Sequence, residues 1–147
     1  MKIKELLDIL PNHEFLEVNE TFTIPKLVEL VLSHPNVRSI YVKDNTGKIL
    51  GEISLGKLIK NVTIKKQLKC KISTRQLLSC ITCRNIKDLI GQRLVFATPE
   101  EDASKVLMKA IKHGIKEIPI LDENGKIIKN IGILDLWATI EKLKEKN

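Results

Sequence analysis

The sequence predicts a mixed α/β protein of the α+β kind, made of two β-α-β-β-α repeats packed sheet to sheet with pseudo-two-fold symmetry. Three observations carry that expectation. First, VRSIYVKDNTGKILGEISLGKLIKNV (37–62) lies without a gap over IKEIPILDENGKIIKNIGILDLWATI (115–140), with identities at Ile40/Ile118, Asp44/Asp122, Gly47/Gly125, Lys48/Lys126, Ile49/Ile127, Ile53/Ile131 and Leu58/Leu136. Second, each copy holds two extended apolar segments joined by an Asp-x-x-Gly turn, the pattern of a β-hairpin. Third, the hairpins are flanked by stretches whose apolar residues recur at helical spacing. A two- or three-stranded sheet cannot cover its own apolar face, so the two units are expected to cover each other.

Each copy opens with a short amphipathic lead-in, IKELL at Ile3 to Leu7 and IKDLI at Ile86 to Ile90, followed by an extended apolar piece, FLEV or LVFA. A helix follows. In the second copy Thr98 is placed as its N-cap, Pro99 as its first residue and Glu101 as the capping-box acid. Ala103, Val106, Leu107, Ala110 and Ile111 then form its apolar stripe, and Gly114 is placed for a left-handed stop. The first copy repeats this with Ile24, Leu27, Val28, Val31 and Leu32, ended by His34-Pro35-Asn36, because proline cannot continue a helix. The hairpins RSIYV-DNTG-KILGEIS and KEIPIL-DENG-KIIKNIGI come next, and each copy closes on a helix, LGKLIKNV or LDLWATIEKLKEKN. The expected organisation is repeat 1 over 1–68, a basic connection over 69–84 and repeat 2 over 85–147.

A chain of 147 residues with 43% apolar content can bury a core of its own. It contains no run of 18 or more apolar residues, and its start, MKIKELLDILPNHE, carries acids inside the apolar pattern and lacks a small-residue cleavage site. The expectation is a soluble, cytoplasmic protein without a membrane segment. Three cysteines, Cys70, Cys80 and Cys83, fit free thiols in a reducing compartment. The net charge of +7 is concentrated: between Ser54 and Lys87 there is no acid, yet Lys57, Lys60, Lys65, Lys66, Lys69, Lys71, Arg75, Arg84 and Lys87 all fall there.

The order of elements, the IPILDENGKII hairpin and the closing GILDLW resemble a cystathionine-β-synthase-type (CBS) domain, and the duplication resembles a tandem CBS pair, or Bateman module. The resemblance covers nearly the whole chain and is strongest from Gly114 to Trp137. It implies a non-catalytic regulatory module that senses an adenosyl compound such as AMP, ADP, ATP or S-adenosylmethionine, or one that serves assembly alone. It also implies a homodimer that passes its signal to an effector protein.

The family's ligand motif, a Gly, an apolar residue, a Ser or Thr and then an Asp three residues on, lies where the last strand enters the last helix. Such an Asp can accept both hydroxyl hydrogens of a ribose, while a hydroxyl or bare N–H before it meets phosphate at the positive helix end. Neither copy keeps the full set. Copy 1 has Ser54 but Lys57 in the Asp position; copy 2 has Asp135 but Gly132 in the hydroxyl position and Lys129 in place of the leading Gly. Asp135 with Gly132 is the better nucleoside site, because a glycine exposes its N–H and Lys57 cannot accept from a ribose hydroxyl, although it could hold an anion. By the same resemblance Arg38 and Lys116 lie near the phosphates, and Ala97, Ile115, Pro119 and Ile131 offer apolar surface to adenine.

Each residue also has a plainer reading. Asp135 could simply cap its helix, Gly132 could serve close strand packing, Arg38 and Lys116 could be surface charges, and Trp137 could belong to the core or an interface. Cys80-Ile-Thr-Cys83 is a C-x-x-C, but only Cys70 and the scattered His13, His34 and His113 could complete a zinc set, so no metal is expected. No nucleophilic triad, phosphate-binding glycine loop or metalloprotease motif occurs, so an enzyme is not expected. The basic segment could engage nucleic acid or an acidic partner, but between Lys57 and Lys87 it has no aromatic residue for base stacking, and a solvated helix face explains it as well.

Overall fold

The computed structural model describes residues 1–68, 85–91 and 93–146, with the backbone alone given for 64–68. The strands are β1 (Phe15–Asn19), β2 (Ser39–Lys43), β3 (Ile49–Glu52), β4 (Glu117–Leu121) and β5 (Ile127–Gly132). The helices are α1 (Ile24–Ser33), α2 (Leu55–Leu68), α3 (Ala103–Lys112) and α4 (Ile133–Glu145), and the lead-ins form single 3-10 turns at Ile3–Glu5 and Ile86–Leu89. The architecture is mixed α/β with two sheets, β1-β2-β3 and β4-β5. Cys70, Cys80, Cys83 and the basic residues Lys69, Lys71, Arg75 and Arg84 lie outside the described residues.

The hairpins repeat down to their turns. β2 and β3, like β4 and β5, pair antiparallel, with Tyr41 opposite Glu52 and, at the equivalent place, Pro119 opposite Asn130. In the turns, Asp44 Oδ1 accepts from the Thr46 and Lys48 amides at 2.8 and 3.1 Å, and Asp122 Oδ1 accepts from Asn124 and Lys126 at 2.8 and 3.0 Å. Gly47 and Gly125 close them at φ +89° and +78°, a conformation that costs other residues a steric clash. The copies differ at the strand before the helix: FLEV becomes β1, whereas LVFA contributes only an isolated parallel bridge, Ala97 to Ile120.

Packing order differs from repeat order. The chain forms two compact units, one of Met1–Phe15 with Val95–Asn147 and the other of Leu16–Leu94. In the first, Ile3 and Leu6 of the first lead-in, with Leu10 just after it, join Ala97, Ala103, Val106, Ile118, Ile120, Ile131 and Leu136 in one core. In the second, Ile86 and Leu89 of the second lead-in join Val18, Ile24, Leu27, Ile40, Val42, Ile53 and Leu58. Each lead-in therefore completes the unit built from the other repeat's hairpin.

This exchange explains a correction to the expected start of α3. The helix begins at Ala103 behind Asp102, whose carboxylate accepts from the Lys105 amide at 3.3 Å, and not behind Thr98. Glu101 does reach back to the Thr98 amide at 2.7 Å, but the carbonyls of Pro99 and Glu101 accept from the lead-in amides of Lys4 and Ile3, both at 2.9 Å. The Ala103 amide in turn donates to the Met1 carbonyl at 2.8 Å. The Ala103 amide, its one donor given to Met1, does not close a helical ring on the Pro99 carbonyl, and 98–101 stays a turn. Two residues of the expected stripes also differ: Leu32 and Ile111 lie exposed at the ends of their helices, while Gly114 takes φ +65° as a left-handed cap.

Candidate functional site

The best candidate lies where β5 runs into α4. Gly132 ends the strand and stands as N-cap, with no side chain to offer; Ile133, Leu134 and Asp135 are the first three helical residues. The Ile133 amide donates to the Lys116 carbonyl at 2.9 Å, which fixes the start of α4 against the entry to β4. Asp135 thus presents a half-exposed carboxylate in the first turn, where the helix dipole favours negative charge.

A residue not expected at this site stands over it. His13 Nε2 lies 2.6 Å from Asp135 Oδ2, and its Nδ1 lies 3.8 Å from Glu117 Oε1. An ionised carboxylate only accepts, so the proton of the short bond sits on Nε2. The ring is held from behind: the His13 amide donates to the Asn130 carbonyl at 2.8 Å, and the Asn130 amide donates to Asn12 Oδ1 at 2.9 Å. The side chain of Asn130, fully buried, donates to Glu117 Oε2 at 3.1 Å and to the His13 carbonyl at 3.4 Å. Lys129 Nζ donates to the carbonyls of Leu7 and Leu10, the latter at 2.9 Å, which binds the lead-in to β5.

The imidazole also accounts for Gly132. A Cβ built there would overlap the His13 ring and sit 3.0 Å from Asp135 Oδ2. Gly132 has φ −78° and ψ 138°, which any residue adopts, so its small size answers the close approach of His13 and not a backbone need.

The equivalent place in the other unit is built differently. Ser54 Oγ accepts from the Lys57 amide at 3.2 Å, an ordinary helix cap, and Lys57 Nζ donates to the Ile90 carbonyl at 3.1 Å. In both units the third residue of the closing helix holds the exchanged lead-in: an ammonium on a carbonyl in one, a carboxylate on an imidazole in the other. The change from Asp to Lys therefore has a local partner in each case.

The remaining expected residues distribute as follows. Lys116 is exposed and Ile115 half-buried at the mouth of β4, in the same unit as Asp135. Ala97 and Ile131 are wholly buried in that unit's core, and Pro119 is buried on β4 with its carbonyl accepting from the Ala97 amide at 3.1 Å. Arg38 is exposed just before β2 and belongs, with Ser54 and Lys57, to the other unit. Among the described residues no group of three or more His, Cys, Asp or Glu is arranged to hold a metal, and no helix is long and apolar enough to cross a membrane.

The CBS-domain family profile matches residues 3–63 and 86–143, most of the chain and both repeats. The chain belongs to the CBS-domain family. No curated protein sequence matches it. Solved CBS structures share its fold at low identity. The CBS domain pair of protein MJ0100, in complex with 5′-methylthioadenosine and S-adenosyl-L-methionine, is 16% identical over 97% of this chain and 98% of that one, with a TM-score of 0.63. CBSX2 in complex with AMP is 14% identical over 97% and 98%, with a TM-score of 0.66. A CBS domain-containing protein of Thermotoga maritima, TM0935, is 21% identical over 97% and 95%, with a TM-score of 0.64.

Within this CBS pair, His13 is the site residue that the sequence did not reveal. It follows the lead-in of one repeat yet bonds to the motif of the other, so no comparison of aligned positions connects them. The available signal was Gly132 itself, a glycine at a helix start where its counterpart is a capping serine.

Proposed function

We propose that the chain is a non-catalytic regulatory CBS pair that senses an adenosyl nucleotide, AMP, ADP, ATP or S-adenosylmethionine, through Asp135, and that acts as a homodimer upon a separate effector protein in the cytoplasm. The observation that carries this reading is the half-exposed Asp135 carboxylate in the first turn of α4, directly after Gly132. A carboxylate so placed can accept from both hydroxyls of a ribose, and the helix start favours the phosphate beside it. Lys116 adds a cation on the neighbouring strand entry, and Ile115 adds apolar surface for the base. Similar structures hold AMP, 5′-methylthioadenosine and S-adenosylmethionine. Arg38, Ser54 and Lys57 form the weaker, anion-directed half of the proposal.

A thermal-shift panel of AMP, ADP, ATP, S-adenosylmethionine and NAD tests it. A ligand present at 100 times its dissociation constant adds about 2.7 kcal/mol to the stability of the state it binds. A shift with none of them would favour a second reading, a ligand-free assembly module. That reading draws on a specific observation: Asp135 and Lys57, the two polar residues best placed to meet a ligand, already bond within their own units. Leu134 and Trp137, both well exposed on α4, supply apolar surface for assembly.

A further inference from the structure

We infer that His13 is an internal competitor for the ligand site, a latch that must leave Asp135 before a nucleoside can bind. The inference rests on the adenosyl-sensing reading and names the residue that regulates it. One imidazole covers both groups that reading needs. Its Nε2–H takes an Asp135 oxygen at 2.6 Å, the oxygen a ribose hydroxyl would claim, and its ring fills the space over Gly132 through which a phosphate would reach the helix start.

The latch is built to hold and also to open. Behind the ring, Asn130 of the β4-β5 hairpin holds the backbone of His13 through the amide and the carbonyl, and its side chain also donates to Glu117. In front, the side chains of His13 and Asp135 are 38% and 39% exposed, so the ring can turn out into water without opening the core. The neighbouring chain gives its release a consequence. Asn12 and His13 tie the segment after the lead-in to β5, and β1, the first strand of the other unit's sheet, begins at Phe15. A ligand that displaces the imidazole acts on the segment that leads out of its own unit.

The test is calorimetric titration of AMP and S-adenosylmethionine into the wild-type chain, His13→Ala and His13→Gln. Glutamine can place an amide N–H near the position of Nε2 and so keep the latch. Loss of a hydrogen bond to a charged group corresponds to about tenfold in affinity or more, so His13→Ala should bind about tenfold tighter, or bind where wild type does not, while His13→Gln stays near wild type. Equal affinity in all three, or weaker binding by His13→Ala, overturns the latch and leaves the sensing reading standing. Binding by none of the three, all folded by circular dichroism, overturns the sensing reading and the latch with it. Hydrogen exchange on the wild type decides the matter if His13→Ala does not fold: saturating AMP should speed exchange of the His13 amide, and unchanged or slower exchange contradicts the latch.

Discussion

Substituting Gly132 by alanine probes the His13 clasp without replacing either bonded residue. The new methyl would overlap the imidazole, so the ring has to leave Asp135, and the local backbone accepts alanine without strain. A hydrogen bond to a charged group is worth about 1.5–3 kcal/mol, and the exposure of both partners places this one at or below the lower end, about 1–1.5 kcal/mol. Against that loss, alanine in place of glycine stabilises by about 0.4–1 kcal/mol, because it narrows the unfolded ensemble. In the wild-type background Gly132→Ala is therefore expected to be mildly destabilising. In a His13→Ala background the two overlapping ring atoms are gone and the movable Asp135 carboxylate becomes the nearest of the three contacts, so the same substitution should become stabilising. The assay is urea unfolding followed by the fluorescence of Trp137, the single tryptophan, which sits on the same helix as Asp135. The double-mutant cycle should give a coupling of about 1 kcal/mol, against about 0.3–0.5 kcal/mol of scatter for independent sites. Additivity within that scatter would refute the claim that Gly132 is small because of His13.

Further expectations follow from the exchanged lead-in. Leu6→Ala removes a fully buried side chain from the core beneath α4 and should lower the Trp137 transition by about 2–5 kcal/mol; a change within error would mean that the lead-in does not complete that unit. Lys129→Met keeps the aliphatic stem but strands the Leu7 and Leu10 carbonyls, at a cost of about 1–3 kcal/mol in the same unfolding assay; full wild-type stability would show those bonds to be incidental. Hydrogen bonds from Lys2 and then Lys4 hold the Glu100 carboxyl below its ordinary value. Its folded value is the lower one, so its stabilisation is present above the ordinary glutamate range and is lost as the pH falls through the depressed folded value. Glu100→Gln should therefore flatten the acid limb of the stability profile, and an unchanged limb would contradict the pairing.

Much of the fold was legible because local chemistry decides it. The Asp-x-x-Gly turns, Gly114 and the alternating hairpin strands announce themselves over a few residues, and the repeat supports each hairpin by its twin. The start of α3 was not legible, because Thr98, Pro99 and Glu101 satisfy every local rule for a helix start while the carbonyls of Pro99 and Glu101 are claimed by a lead-in nearly a hundred residues away in sequence. The same non-local fact hid His13. Asp135, Gly132 and Lys57 could be picked out by their place in the repeat, but their partners, an imidazole and a carbonyl from the opposite repeat, follow only from which lead-in packs on which hairpin. The apolar spacing of Ile3, Leu6 and Leu10 says that the lead-in is buried and is silent on where.

The central claim is that Asp135, not Lys57, receives an adenosyl ligand. The most direct measurement is the affinity of the ligand that scores in the thermal panel for wild type, Asp135→Ala and Lys57→Ala, each by calorimetry. The account predicts that Asp135→Ala loses at least about tenfold, since it removes the charged acceptor of the ribose hydroxyls, while Lys57→Ala changes affinity only slightly. Equal losses in the two variants, or an Asp135→Ala protein that binds as well as wild type, would contradict it.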